Sequence, residues 1–279
     1  LFRNQLGPEN WKLIGTLAAS WVGGTANQLA VKEATGLSDA SFVPLFISDI
    51  TMVYFWMTFL MIISGSQKKL DRFFQANRKE LETMIERGGV KSQTEKPLMK
   101  IPLRSLLLGL FVGFGIGATV TWIGSQALPI SAGPHQTTWI IILVTTAGLL
   151  MSSSRYARRE GETATRVGYF LLYIVLAATG AKANLLAIVK APLFLGIAFV
   201  WMMIHGVLFI GFGRLLKMPA AILATASQAA LGGIVSAPIV ASTYEPKLVS
   251  IALILALFGN AIGNYAGILM AQFLKLFTG

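Results

Sequence analysis

Residues 17–31 read LAASWVGGTANQLAV, an apolar stretch broken at its centre by Gly23-Gly24 and soon followed by the span FVPLFISDITMVYFWMTFLMII at 42–63. The same order of features returns later. TASQAALGGIVSAPIV at 225–240, broken at Gly232-Gly233, precedes LVSIALILALFGNAIGNYAGILMA at 248–271. Superposing the Gly pairs sets Asn27 opposite Ser236, and a two-residue gap in the following turn sets Asp49 opposite Asn260. A polar, glycine-broken element followed by a long apolar one, repeated within one chain, is a common build for secondary transporters.

Composition places both copies in a membrane. Of 279 residues, 54% are hydrophobic and 13% charged, against about 25% charged in soluble domains. Lys and Arg number 23 against 12 Asp and Glu, a formal +11, but the excess is no nucleic-acid face: ten of the basic residues lie between Lys68 and Arg104, and none of either sign lies between Arg104 and Arg155. A bilayer core takes about 20 apolar residues per helix, which sets spans at 41–64, 105–125, 137–154, 165–181, 193–213 and 248–271. Basic residues collect in cytoplasmic loops. With 66–104 placed in the cytoplasm and the spans alternating, 17 basic residues fall inside and 6 outside. Within that cytoplasmic linker, Leu70, Phe73, Phe74, Leu81, Met84 and Ile85 are spaced for one face of an amphipathic helix over 69–87, stopped by Gly88-Gly89. It reads as a surface connector or, alternatively, a lipid-binding or regulatory helix.

Parity decides how the two copies are related. If both broken elements cross the membrane, six crossings separate the Gly pairs and the copies face the same way. If both are re-entrant hairpins (11–38 and 218–241), the offset is five and the second copy is inverted, as alternating access requires. The expected fold is therefore all-α and polytopic, with inverted repeats and two Gly-Gly-broken re-entrant hairpins. Residues 1–65 close the first repeat, 66–104 link, and 105–279 form the second. The second copy has four spans before its hairpin and the first has none, so four further spans are expected upstream of Leu1.

Hairpin tips bring helix termini together inside the membrane, where irregular backbone persists only beside protein or a watery cavity. Gly23, Gly24, Gly232 and Gly233 permit such turns and a close ligand approach. Thr25, Asn27, Gln28 and Ser236 would flank the ligand, with Asn264 as a further substrate contact. The plain alternative is that these are packing glycines. Asp49 is the only acidic residue inside a continuous span; an intramembrane carboxylate faces a cavity, pairs with a cation or carries a proton, unless it lies close enough to the external end to reach water. With its counterpart Asn260 it is the candidate for ion coupling, Na⁺ being the one ion or cofactor expected. Lys32 and Glu33 read as a solvated pair, and His205 as a hydrogen-bonded packing residue more than a proton relay. The ladders Gly109, Gly113, Gly117 and Gly259, Gly263, Gly267 imply close helix approach.

Catalytic motifs are missing from the sequence. It has no P-loop, no HExxH and no acidic or His-rich metal cluster, GIGATV lacks the context of a dinucleotide fold, and without cysteine there is neither a disulfide nor a thiolate site. An enzyme is not expected.

In SWVGGTANQLAV, SDITMVYFWMTFLM, GGIVSAP and FGNAIGNYAG the sequence resembles the YjcL-type membrane proteins, domain of unknown function 819. The resemblance runs through the whole chain. It implies a relation to the superfamily of cation–proton antiporters and anion transporters, and a likeness to glutamate–sodium symporters and 2-hydroxycarboxylate carriers in their inverted repeats and re-entrant hairpins. It therefore implies a secondary transporter with a cation site at Asp49 and the hairpin tips, and it names no substrate.

Together these readings give an ion-coupled transporter of the plasma membrane, carrying a small organic, anionic solute with Na⁺ or H⁺. Its partners would be that solute and the bilayer, with a homodimer allowed through the scaffold spans. The rivals are a cation–proton antiporter and a non-transporting scaffold or sensor subunit.

Overall fold

The computed structural model describes residues 9–77, 103–127, 134–152 and 191–278, with scattered single positions between 79 and 178. Its elements are helices: α1 (Asn10–Gly23), α2 (Thr25–Thr35), α3 (Asp39–Ser64), α4 (Gln67–Phe74), α5 (Leu103–Ala127), α6 (Pro134–Ser152), α7 (Ala191–Leu215), α8 (Ala220–Tyr244) and α9 (Val249–Thr278), with a 3-10 turn at Pro246–Leu248 before α9. Asp39–Ser64, Pro192–Leu215, Ala220–Tyr244 and Pro246–Phe277 are each long and apolar enough to cross a membrane. Most of the expected span at 165–181 and most of 78–102 lie outside the described residues.

Both glycine pairs break their helices, each at its second member. Gly24 (φ 84°, ψ −172°) separates α1 from α2, and Gly233 (φ 61°, ψ −151°) divides α8 into two arms. Only glycine adopts this region without strain. Beyond Gly24 the chain folds back: Lys12 Nζ donates to Gly36 O at 3.2 Å, although 24 residues of continuous helix would separate them by about 36 Å. The outer end of α2 is tied to the start of α3 by Lys32 and Asp39, 2.7 Å apart. The two ends of α8 meet the opposite end of α3. Ala220 N donates to Asp71 Oδ1 at 2.8 Å, just beyond that end in α4, and Tyr244 OH donates to Leu60 O at 2.7 Å.

The closest packing joins α1 to α9. A Cβ at Gly267 would lie 2.5 Å from Ala19 Cβ, one at Gly15 2.5 Å from Ala271 Cβ, one at Gly263 2.8 Å from Gly23 Cα, and one at Gly259 would run into the Val22 carbonyl oxygen. Small residues at four-residue spacing on both helices, Gly15-Ala19-Gly23 against Gly259-Gly263-Gly267-Ala271, thus run antiparallel with their backbones in contact. Lipid tails are as apolar as leucine, so in a membrane this intimacy, rather than exclusion from water, holds helices together. Around it, Leu17, Phe42, Leu45, Leu60, Met202, Leu231 and Val240 form a buried core.

Among the described residues nothing lies within 4 Å of a Cβ at Gly113 or Gly117 on α5. Two expectations are corrected. The linker helix does not run through 69–87. It ends at Phe74, where Gln75 turns left-handed (φ 54°) and donates to Arg72 O. The segment is held by tertiary contacts, with Phe74 buried, Asp71 capping α8 and Asn77 N donating to Lys217 O; the remainder of the proposed face lies outside the described residues. Nor is Lys32 solvated: its side chain is 8% exposed and sits between the exposed Glu33 and Asp39 over the Phe42 ring, so Lys32 clamps α2 to α3 through Asp39.

Gly259→Ala is expected to lower stability by about 1–3 kcal/mol through overpacking against main chain, and Gly113→Ala to be neutral or stabilising by up to about 1 kcal/mol. Thermal unfolding of the purified variants in detergent measures both.

Candidate functional site

The two breaks face one atom. A Cβ on Gly24 would lie 3.8 Å from Asn260 Oδ1, and one on Gly233 3.9 Å from the same oxygen. The residue four positions beyond the first glycine of each pair behaves alike in both elements. The Asn27 side chain lies 2.6 Å from where a Gly23 Cβ would stand, and Ser236 Oγ occupies the equivalent space at Gly232. At each break the C-terminus of one half-helix meets the N-terminus of the next, and an acceptor oxygen suits the positive N-terminal ends. Gly24, Thr25 and Asn260 are half-buried here, and Ala26 is exposed.

Asn27 and Ser236 do not point freely into a ligand space. Asn27 is buried and its Nδ2 donates to the Asn260 carbonyl at 2.9 Å, which fastens α2 to α9. Ser236 is buried and accepts from Gln228 Nε2 at 2.8 Å. Asn264 turns toward α6, donating to Thr145 Oγ1 at 2.9 Å, while its own Oδ1 has no hydrogen-bond partner. Gly23 and Gly232 are the packing members of their pairs, and Gly24 and Gly233 are the turning members.

Asp49 lies in the middle of α3 and is 2% exposed, which removes the reading of a carboxylate reaching water at the helix end. Ser20 Oγ donates to its Oδ2 at 2.5 Å and Trp21 Nε1 to its Oδ1 at 2.6 Å. Both donors belong to the last turn of α1, immediately before the break. The Gln28 amide, from the first turn of α2, sits against the same carboxylate. Asp49 is therefore joined to both sides of the Gly24 break. Among the described residues no Lys or Arg pairs with it; the ion pairs are Lys12–Glu9, Lys32–Glu33 and Lys32–Asp39.

A second polar knot adjoins the first. His205 on α7 contacts Ser227 Oγ through Nε2 at 2.7 Å, and Trp56 Nε1 donates to the same hydroxyl at 2.9 Å. The imidazole is edge-on to both Trp21 (centroids 6.0 Å apart) and Trp56 (5.4 Å), and Trp21 is also edge-on to Trp201 at 5.7 Å. His205 thus packs as a hydrogen-bonded residue, as its sequence context suggests, but against the very indole that donates to Asp49. Ser20, Trp21, Trp56 and Ser227 were not legible as site residues. The one available signal was that a carboxylate in a span needs donors at its own depth, and Ser20-Trp21 flank the break.

Trp21→Phe should remove a donor from a buried carboxylate and lower stability by about 1.5–3 kcal/mol. In the Asp49→Leu background the same change should cost at least about 1 kcal/mol less, measured as a double-mutant cycle of unfolding in detergent.

No curated protein and no solved structure matches this chain. A family model does, over residues 1–277, and its description is "Protein of unknown function (DUF819)". With nearly the whole chain matched, and with apolar helices long enough to span a bilayer, the chain is a membrane-protein member of the DUF819 family.

Proposed function

We propose that the chain is the transport core of an ion-coupled secondary transporter, moving a small organic anion with Na⁺ or H⁺ by alternating access. One observation carries this reading: two Gly-only helix breaks converge on Asn260 Oδ1, and a buried carboxylate with no basic partner among the described residues is bonded to the last turn before the first of them. Discontinuous helices that offer N-terminal ends to an anionic group and C-terminal ends to a cation are the site design of such transporters.

In this reading the broken elements are re-entrant hairpins entering from opposite faces, and the two halves are inverted repeats. The Lys12–Gly36 contact supports this for the first, as do the contacts of Ala220 and Tyr244 at the far end of α3 for the second. The membrane is the plasma membrane, with 66–104 cytoplasmic by the distribution of basic residues. Substrate carboxylate sits at Gly24, Thr25, Gly233 and Asn260, while Asn27 and Ser236 hold the turns that shape the site. Asp49 is the coupling group. Neutralising it changes the charge at the C-terminal end of α1, three or four residues from the tip that receives substrate. α1, α2, α8, α3 and α9 would move as a core against the remaining helices.

The test is uptake into proteoliposomes of the full chain, screening carboxylates and amino acids under imposed Na⁺ and pH gradients. Asp49→Asn is expected to abolish acceleration by the gradient, and Asn260→Ala to raise KM about tenfold or more, the equivalent of one lost hydrogen bond to a charged group. Gradient-driven uptake unchanged in Asp49→Asn would remove the coupling role. Cation-driven proton release without solute uptake would place the protein with the antiporters instead.

A further inference from the structure

The ion that occupies the Asp49 site can be read from the atoms around it, given the transporter reading above. Asp49 is bound by Ser20 and Trp21 in the last turn of α1. A helix carries about half a negative charge at its C-terminal end, so a carboxylate there adds negative to negative inside a low-dielectric interior. Some cation has to balance it, and among the described residues no Lys or Arg does so. A proton needs one acceptor, whereas a metal cation needs a shell of oxygens.

The oxygens present exceed what a proton requires. Gln28 is fully buried with its amide against Asp49, and its Oε1 has no hydrogen-bond partner. A buried amide left in that state costs about 1–3 kcal/mol, unless something else engages it. One helical turn from Ser20 on the same face of α1, Thr16 is also fully buried with an unpartnered Oγ1. Ser20 Oγ donates its proton to Asp49 and keeps its lone pairs. We infer that Asp49, Ser20 and Gln28, with Thr16 one turn away, form a Na⁺ site in which the carboxylate supplies the charge and the Gln28 Oε1 and Ser20 Oγ supply neutral oxygen ligands. Hard cations take oxygen ligands of this kind, and a net single negative charge matches a monovalent ion. Because Ser20 and Gln28 stand on the two arms of the Gly24 break, Na⁺ closes the arms on one another and sets the tip for substrate.

The experiment is thermal unfolding of the full chain in detergent, titrated with NaCl against KCl and choline chloride at fixed ionic strength, and separately with pH. Na⁺ alone should raise the midpoint saturably, since a ligand that binds the native state stabilises it. Asp49→Asn should abolish the response. Gln28→Leu, which also removes the orphaned amide oxygen, should raise the half-saturating Na⁺ concentration about tenfold or more while unfolding in the absence of Na⁺ no earlier than wild type. Gln28→Ala serves if the leucine variant does not fold. Equal responses to Na⁺ and K⁺, or wild-type Na⁺ affinity in the Gln28 variants, would overturn the assignment. If stability and uptake follow pH and ignore Na⁺, the Na⁺ site falls and the transporter reading stands; if liposomes show no gradient-driven flux under any ion, both fall.

Discussion

Main chain lies against main chain where α1 crosses α9, and the remaining geometry follows from that contact. Gly23 and Gly263 touch at their Cα atoms within the reach of a single methyl group, and Gly259 lies under the Val22 carbonyl. At this separation the end of α1 has no freedom to slide along α9. Gly24 is therefore held over Asn260, and Asn27 reaches the Asn260 carbonyl from the following turn. Gly233 arrives from the other broken element at Asn260 Oδ1, the side-chain oxygen that Gly24 also faces. A side chain of ordinary size anywhere in the ladder would part the helices and separate the two breaks.

Against this rigid crossing stands the buried Asp49 carboxylate, which pairs with no Lys or Arg among the described residues. Burying a carboxylate is expensive unless it is paired and hydrogen-bonded. Ser20 and Trp21 supply hydrogen bonds to Asp49, but they carry no charge and lie at the negative end of their helix. Trp21 links this carboxylate to α7, because its ring packs on Trp201 and His205 while its nitrogen holds Asp49.

Much of this could be read from residue order, and the limits were specific. Apolar length located α3, α7 and α9, whose bounds fall within a few residues of 41–64 and 193–213 and extend 248–271 by one turn or two. Glycine pairs located both breaks, but only the structure separates Gly24 and Gly233, which turn, from Gly23 and Gly232, which make room for the residue four positions on. The two GxxxG ladders are indistinguishable as strings. One packs on α1 because Gly15-Ala19-Gly23 carries the same spacing in reverse, while Gly113 and Gly117 face nothing within 4 Å among the described residues. Asp49 stood out by its charge. Its partners did not, since Ser20, Trp21 and Gln28 are ordinary residues until folding sets them at the same depth. Asn27 and Ser236, expected to flank a ligand, are buried and hydrogen-bonded to the Asn260 carbonyl and to Gln228, as buried polar groups generally are, and residue order did not name these partners.

Whether each broken element enters and leaves on one face of the membrane, and the two on opposite faces, is open to a direct measurement. The chain has no cysteine, so single cysteines can be introduced without a background. Glu9→Cys and Glu33→Cys flank the first element, and Lys217→Cys and Ser242→Cys the second. Labelling with a membrane-impermeant maleimide in intact cells and in inverted vesicles should modify the first two from one face only, and the second two from the other face only. If the two ends of either element label from opposite faces, that element crosses the membrane, and the account of paired hairpins meeting at Asn260 is wrong.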